Sequence, residues 1–429
     1  CQTGPHPSCL VTINRELRMH VLYFHQYFTT PRTPGGTRSY EMARQLIARG
    51  HKVTMVCSKQ TGYSLDLPGN PGAPMREGVV DGIRVIQFNL EYSNYMSLPR
   101  RASIFLRYAM CSSAIALRMD YDLLFATSTP LTAGIPGIFA RLFRGKPFIF
   151  EVRDLWPELP RAMGVVTNPF VLAGMSALEW MSYQAASACI ALSPGIQEGI
   201  ARRSPKNLAT AMIPNGCDLE MFHPGRREDL DLPGCHPTDC VAVFTGAHGM
   251  ANGLDSVLDA ARVLLYRGRD NIILVFIGDG KLKPRLMARA EAEGLKNCRF
   301  IDPMPKNQLN RVLGCCDVGL MILDDVPAFY YGTSPNKFFD YISSGLPVLN
   351  NYPGWLADLI NEYRCGIAIP PRNPEAFADA LCILADNDAL RNEYSKNARR
   401  LAEKEFSRDC LATEFVDWLE ETYRKHEEQ

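Results

Sequence analysis

Two stretches of the chain concentrate residue types that handle anions. Residues 330–350 read YYGTSPNKFFDYISSGLPVLN, an apolar helical pattern that opens with Ser334-Pro335-Asn336 and carries Lys337 and Asp340 three residues apart. Serine is a favoured N-cap, and proline suits the first helical position, where no N–H partner is needed. Free backbone N–H groups, the positive end of a helix dipole and a lysine are therefore predicted to meet at one point, and these are the parts of an anion site. Asp340, on the same helical face, would accept hydrogen bonds from both hydroxyls of a ribose; taken alone, the pair also fits a surface Lys–Asp contact contributing about 0.2–0.5 kcal/mol. In the first half, FIFEVRDLWPE (148–158) ends a strand with Glu151, Arg153, Asp154, Trp156 and Glu158 in quick succession. A strand end built only for packing seldom concentrates so many charges.

Three glycine-bearing turns lie where a phosphate could be held: Gly35-Gly36-Thr37, Gly246 to Gly249, and Gly278-Asp279-Gly280. Glycine lets the backbone approach a phosphate, and the helix that follows points its positive end there, although such turns also need glycine for steric reasons. Lys281 and Lys283 follow the third turn, and that turn tips the reading of Lys337 and Asp340 toward a nucleotide. Neither the six-residue dinucleotide fingerprint nor a Walker loop occurs in full, which argues against dehydrogenases and NTPases.

These residues need a scaffold, and the hydrophobic pattern supplies one. HVLYF, a glycine loop, the helical YEMARQLIARG and the strand-like HKVTMVCS form a βαβ unit, which repeats through IRVIQF, LLFATS, PFIFEVRD, CIALS and TAMIPN. After a Pro- and charge-rich connector a second cycle runs from VAVFTGAHG through NIILVFIGDG, CRFIDP, DVGLMIL and LPVLN to GIAIP, followed by three helical segments. The predicted organisation is an extension over 1–18, an α/β domain over 19–218, a linker over 219–239, a second α/β domain over 240–407 and a long amphipathic helix over 408–429. Two doubly wound domains place a cleft between the carboxyl ends of two sheets, where ligands of such sheets bind.

The 429 residues exceed what one core usually serves, and 46% hydrophobic with 21% charged residues is an ordinary globular composition. No segment has the roughly 18 consecutive apolar residues of a membrane-spanning helix; Ala162–Leu178, uncharged but interrupted by glycine, asparagine and proline, reads as buried or interfacial. The first eighteen residues lack the apolar core of a signal peptide and read as a start-site extension or disordered arm. The fourteen cysteines are scattered and read as buried reduced thiols of a cytoplasmic protein. Cys235-His236 and Cys240 have no second Cys/His pair at zinc spacing, so a polar linker is the plainer reading. Residues 1–214 carry 22 Lys+Arg against 13 Asp+Glu, and residues 215–429 carry 24 against 33. Either the basic half faces an anionic partner or the two halves attract each other.

PGGTRSYEMARQLIARGHKVTMV, EVRDLWPE, IPNGCDLEMFHP, FTGAHGMANGLDSVLDAA, VFIGDG and SPNKFFDYISSGLPVLN occur in the order found in the retaining glycosyltransferases of family 4, which this chain resembles from Met19 to its C-terminus. More narrowly it is similar to the bacterial WbuB-like branch of surface-polysaccharide glycosyltransferases. The resemblance implies the GT-B fold: two Rossmann-like domains facing across a cleft, with the C-terminal helix returning to the N-terminal domain. It implies transfer of a sugar, an N-acetylated hexosamine or deoxyhexosamine, from a UDP-sugar with retention at the anomeric carbon and no obligatory metal or other cofactor.

Carried over residue by residue, the donor side would be Gly36, Gly246, Gly278, Gly280, Lys283, Ser334, Pro335, Asn336, Lys337 and Asp340. Lys337, Lys283 and Arg153 are the catalytic candidates, and Arg32, Arg38, Glu151, Asp154, Trp156 and Glu158 the acceptor-side ones. The chain also departs from the family. The second of two family glutamates falls on Asp340 and the first on Gly332, the usual Arg and Lys after the first strand of the second domain fall on Ala247 and Asn252, and a usual histidine falls on Arg153.

The acceptor implied is a polyprenyl-diphosphate-linked glycan. The stretch LPRRASIFLRYAMCSSAIALRM (98–119), with Arg100, Arg101, Arg107 and Arg118, would lie at an anionic membrane surface on the cytoplasmic side; equally, its apolar face could pack on the sheet. The alternatives are a nucleotide-sugar epimerase or phosphorylase of the same architecture, and a non-catalytic nucleotide-sugar-binding subunit, for which Gly332, Ala247 and Asn252 speak. No nucleic-acid partner is expected.

Overall fold

A computed structural model describes residues 17–33, 35–60, 65–93 and 95–428, so nearly all of the 1–18 extension lies outside the described residues. The first sheet has eight strands: β1 (His20–Phe24), β2 (Lys52–Gln60), β3 (Met75–Val80), β4 (Ile83–Tyr92), β5 (Leu123–Thr127), β6 (Phe148–Val152), β7 (Ala188–Ala191) and β8 (Ala209–Met212). Their order is β3-β4-β2-β1-β5-β6-β7-β8, parallel except for β3. That edge strand, which the sequence pattern did not reveal, pairs with β4 through Asp81-Gly82, both at positive φ, as an Asp-Gly hairpin turn requires. The second sheet takes the order β11-β10-β9-β12-β13-β14, all parallel, from β9 (Cys240–Thr245), β10 (Ile272–Ile277), β11 (Cys298–Ile301), β12 (Val318–Met321), β13 (Val348–Asn350) and β14 (Gly366–Ala368).

Strands such as LLFAT, FIFEV, CVAVFT and IILVFI are buried along their whole length, as parallel strands covered by helices on both faces must be. Glu151 is the one carboxylate in those four. The domains have separate cores, one around β1, β5 and β6 and two on the faces of the second sheet.

The C-terminal helix Arg408–Glu427 leaves the second domain and packs on the helix Arg38–Ala48 of the first. It places Leu411, Phe415 and Leu419 in the first core, with Phe415 meeting Phe125 edge-on at 5.2 Å. The chain therefore crosses between domains twice, and the crossings touch: Cys217 N donates to Phe406 O at 2.7 Å and Arg408 N to Cys217 O at 2.9 Å. The two connections between the domains thus run side by side.

Along Leu98–Arg118, Ile104, Tyr108 and Ala116 pack on the sheet. Ala162–Leu178, expected to be buried or interfacial, is largely exposed. Most of it lies in the helix Pro169–Ala185, whose buried residues are Glu179, Ser182 and Tyr183, while Phe170 is 86% exposed. No helix among the described residues is long and apolar enough to cross a membrane.

Candidate functional site

The helix that carries the SPNK stretch runs over Asn336–Ser343, one residue later than predicted. Pro335 is the residue before its first turn, with extended backbone, and no side chain caps it. Ser334 cannot cap because it faces the other domain: its Oγ accepts from Asn215 N at 3.2 Å and its carbonyl oxygen from Asn215 Nδ2. The first N–H groups of the helix are thus left free by a domain contact.

Lys337 and Asp340 do not meet. Lys337 Nζ donates to Asn252 Oδ1 at 2.7 Å and sits 3.9 Å above the centroid of Phe244, at the carboxyl end of β9. Burial there lowers its ammonium to about 7. Asn252, which the resemblance aligned with a usual lysine, is thus the residue that Lys337 reaches from another helix. Asp340 has a different partner; it is 6% exposed and its Oδ1 lies 3.3 Å from Lys306 Nζ, itself over the Phe222 ring. The predicted ribose carboxylate therefore comes with a buried counter-cation that sequence spacing gave no sign of, since 34 residues separate the two.

The three glycine turns converge. A Cβ on Gly36 would stand 2.7 Å from Asn336 Nδ2, so the loop of the first domain closes onto the start of the Asn336 helix. Gly278, at φ +149, would put a Cβ 1.9 Å from Gly246 O, and Gly280 one 2.5 Å from His248 O. The ends of β9 and β10 thus require glycine to approach each other, independently of any ligand. His248 is fully buried between Phe244, Phe276 and Phe300 with no partner for either ring nitrogen, and burial pulls it to about 4, so it is neutral.

Lys283 is not a cleft cation. Its Nζ donates to Gly278 O at 3.0 Å, Ile301 O at 3.2 Å and Asp302 Oδ1 at 2.6 Å, tying the ends of β10 and β11 together. An ammonium that spends its donors on carbonyls at a buried strand end is bound in place.

On the opposite wall, Arg38 and Glu151 are corrected from acceptor contacts to buried struts. Arg38 Nε donates to Glu151 Oε2 at 2.9 Å and its Nη2 to Ile213 O at 2.8 Å, with side chains 3% and 0% exposed. Burial alone would raise the Glu151 carboxyl, but Arg38, Arg153 and the Thr127 hydroxyl outweigh it and hold it below its usual range. Arg153, partly exposed, donates through Nε to Thr127 Oγ1 at 2.7 Å and Glu151 Oε1 at 3.1 Å, and through Nη2 to Ser39 Oγ at 3.0 Å. Asp154 accepts from Thr129 Oγ1 at 3.1 Å, and burial raises its carboxyl. Thr129 holds φ 97, a strained value for a β-branched residue. Trp156 is half-buried, Glu158 exposed at the start of a short helix, and Arg32 exposed 3.7 Å from Asp66.

The walls also touch through a residue the sequence pattern did not single out: Tyr95 Oη donates to Asp279 Oδ2 at 2.8 Å across the cleft. That bond is the main cause holding the Asp279 carboxyl below its usual range. Removing about 1 kcal/mol of closure free energy, Tyr95→Phe is expected to raise the KM for the donor about fivefold and leave kcat within about twofold. Steady-state kinetics with unchanged KM would exclude this contact as part of closure.

The Glycosyl transferase 4-like domain family matches residues 35–216, and the Glycosyl transferases group 1 family matches residues 234–401. A D-inositol 3-phosphate glycosyltransferase of Corynebacterium urealyticum is 24% identical over 393 residues, covering 83% of this chain and 86% of that protein. The match to its Corynebacterium glutamicum counterpart, 28% identical, spans about half the length of each, 44% and 46%. Among solved structures, sucrose-phosphate synthase from Thermosynechococcus elongatus superposes with a TM-score of 0.75 at 16% identity, over 95% of this chain and 99% of that one. Alr3699/HepE of Anabaena, in complex with UDP and glucose, gives 0.66 at 16% identity, over 94% and 99%. Two glycosyltransferase domains side by side, on two facing Rossmann-like sheets with a returning C-terminal helix, make this chain a glycosyltransferase of the GT-B fold.

Proposed function

We propose that the chain moves a sugar, an N-acetylated hexosamine or deoxyhexosamine, from a UDP-sugar to a polyprenyl-diphosphate-linked or other glycan acceptor, with retention, in surface-polysaccharide or glycoconjugate assembly. One observation carries the reading: Lys337 reaches Asn252 where the turns at Gly36, Gly246 and Gly278 converge. In this reading residues 240–407 hold the donor, the first domain holds the acceptor, and the diphosphate lies against the start of the Asn336 helix.

The bond from the anomeric carbon to the diphosphate oxygen breaks, a bond to an acceptor oxygen forms, and the acceptor's hydroxyl proton leaves with the nucleotide. Negative charge grows on the diphosphate, so a cation and oriented N–H groups are the useful catalysts. Lys337 supplies the cation, and the N–H groups of Asn336, Lys337 and Gly36 the dipoles. Asp340, braced by Lys306, offers its second carboxylate oxygen to ribose. Arg153 and Asp154 face the acceptor beside the strained Thr129, and the arginines of Leu98–Arg118 meet the anionic cytoplasmic surface of a membrane. That HepE was solved with UDP supports the choice of nucleotide.

A thermal-shift screen of UDP-, dTDP- and GDP-sugars is expected to raise the midpoint with the UDP-sugars alone; a rise confined to another nucleotide overturns the UDP assignment. A second reading, a nucleotide-sugar-binding subunit without turnover, is favoured by Gly332 and Ala247. Donor binding with neither transfer nor slow hydrolysis would establish it.

A further inference from the structure

Part of the first domain's surface is apolar and cationic in a way neither core nor cleft explains. The helices Leu98–Arg118, Ile135–Arg144 and Pro169–Ala185 lie side by side, each packed on the next. All three connect strands running outward from β4 through β5 and β6 to β7, so right-handed crossovers put them on one side of the sheet. The helix Arg38–Ala48 and the C-terminal helix cover the other.

The core takes only one face of Leu98–Arg118, through Ile104, Tyr108 and Ala116. A second apolar row, Leu106, Met110 and Leu117 at i, i+4 and i+11, points outward, with Met110 70% exposed. Beside it Arg100, Arg107 and Arg118, at i, i+7 and i+18, form a parallel exposed ridge. The next two helices continue the apolar surface, with Leu142 69%, Phe143 71% and Trp180 51% exposed besides Phe170. Monomers seldom expose so many large apolar side chains together unless the patch binds something.

The charges select the occupant. Leu98–Arg118 has four arginines and Ile135–Arg144 two, and neither helix has a carboxylate. A second copy of the chain, docked by two-fold symmetry, would set these arginines against themselves. An anionic bilayer complements both parts, since arginines meet headgroups while aromatic and aliphatic side chains enter the acyl boundary. The Leu98 helix begins three residues beyond Tyr95, the cleft contact, and the Pro169 helix follows a short helix, Glu158–Ala162, that touches the second domain at Pro327–Tyr331. A bilayer on this face therefore borders the cleft mouth.

We propose that Phe143, Phe170, Trp180, Leu142 and Met110 insert into an anionic membrane surface, with the arginine ridge of Leu98–Arg118 as its electrostatic collar. This rests on the proposed membrane-borne acceptor and adds the side chains that enter lipid. The test is co-sedimentation of the full chain with phosphatidylcholine vesicles with and without phosphatidylglycerol, at low and high salt. Wild type is expected to bind the phosphatidylglycerol vesicles with a blue shift of tryptophan emission. Phe143→Glu, Phe170→Glu and Trp180→Glu are each expected to weaken binding at least about tenfold, with the thermal shift by nucleotide sugar unchanged as proof of folding.

Binding lost in an Arg100/Arg107/Arg118→Gln variant but kept in the three glutamate variants would overturn insertion while sparing the electrostatic contact. Absence of any wild-type binding would overturn both, and leave the donor reading standing if the nucleotide shift persists. A dimer in sedimentation velocity that the glutamate variants dissociate would assign the face to a second copy and overturn the proposal.

Discussion

Replacing Lys337 by alanine is expected to lower turnover at least about a hundredfold, the cost of one donor aimed at transition-state charge. The expectation follows from geometry: Lys337 is the cation over Phe244, its hydrogen-bond partner among the described residues is the neutral Asn252, and Lys283 is tied to Gly278, Ile301 and Asp302. Among the described residues no carboxylate pairs with Lys337, and burial lowers its ammonium to about 7, so in the proposed function an anionic donor is the group that would favour its charged form.

The same feature sets a pH dependence. An unfolded lysine keeps its proton to about 10.4, whereas Lys337 releases it near 7. Between those values the unfolded chain binds the extra proton, so this group makes the free protein more stable as pH rises. Diphosphate favours the charged form, so the donor carries a proton into the complex above pH 7. Accordingly kcat/KM for the donor should fall as pH rises through about 7, while kcat holds to higher pH. Lys337→Ala should remove that limb as well as the rate; near-normal turnover, or an unchanged profile, would remove Lys337 from the mechanism.

Glu151→Ala should be the most destabilising single change in the first domain, by about 3–5 kcal/mol, the cost of breaking a buried ion pair from one side. The carboxylate is fully buried, and its loss leaves the Arg38 and Arg153 guanidiniums without a counter-charge at the end of β6. Because the folded carboxyl is held below its usual range, its contribution is present above the unfolded pKa of about 4.3 and is lost as pH falls below it. Denaturant titration at neutral pH measures the change; a loss under about 1 kcal/mol, typical of an exposed pair, would mean the three side chains are not coupled as described.

How much of this was legible beforehand varied with the length over which a signal acts. Apolar runs and glycine turns are local, and they sufficed for two α/β domains and the cleft between them; the return of the last helix came only from the resemblance. The Asp-Gly turn of β3 and β4 was also local, but MREGVV holds too few apolar residues to read as a strand. At the site, the sequence alone picked out Gly36, Gly278, Asn336 and Lys337, because helix starts and strand-end turns have short signatures. It could not say which partner each charge would take.

Lys337 and Asp340 share a helix yet take separate partners, Asn252 and Lys306, which lie 85 and 34 residues away. The charges of EVRDLWPE divide between a buried strut at Glu151, inside the strand, and Arg153, Asp154 and Glu158 in the turn and short helix beyond its end at Val152, because only the strand residue is covered by the sheet's neighbours. Ser334 and Tyr95 acquire their roles only once the domains meet. The amino-acid sequence by itself determined most of the elements and the turns at their ends; which charges were buried in pairs, and that Lys337 was left with a neutral partner, was decided by tertiary packing. A buried charge either finds a partner or loses its proton more readily, as Lys337 does, and only the folded chain brings distant partners within reach.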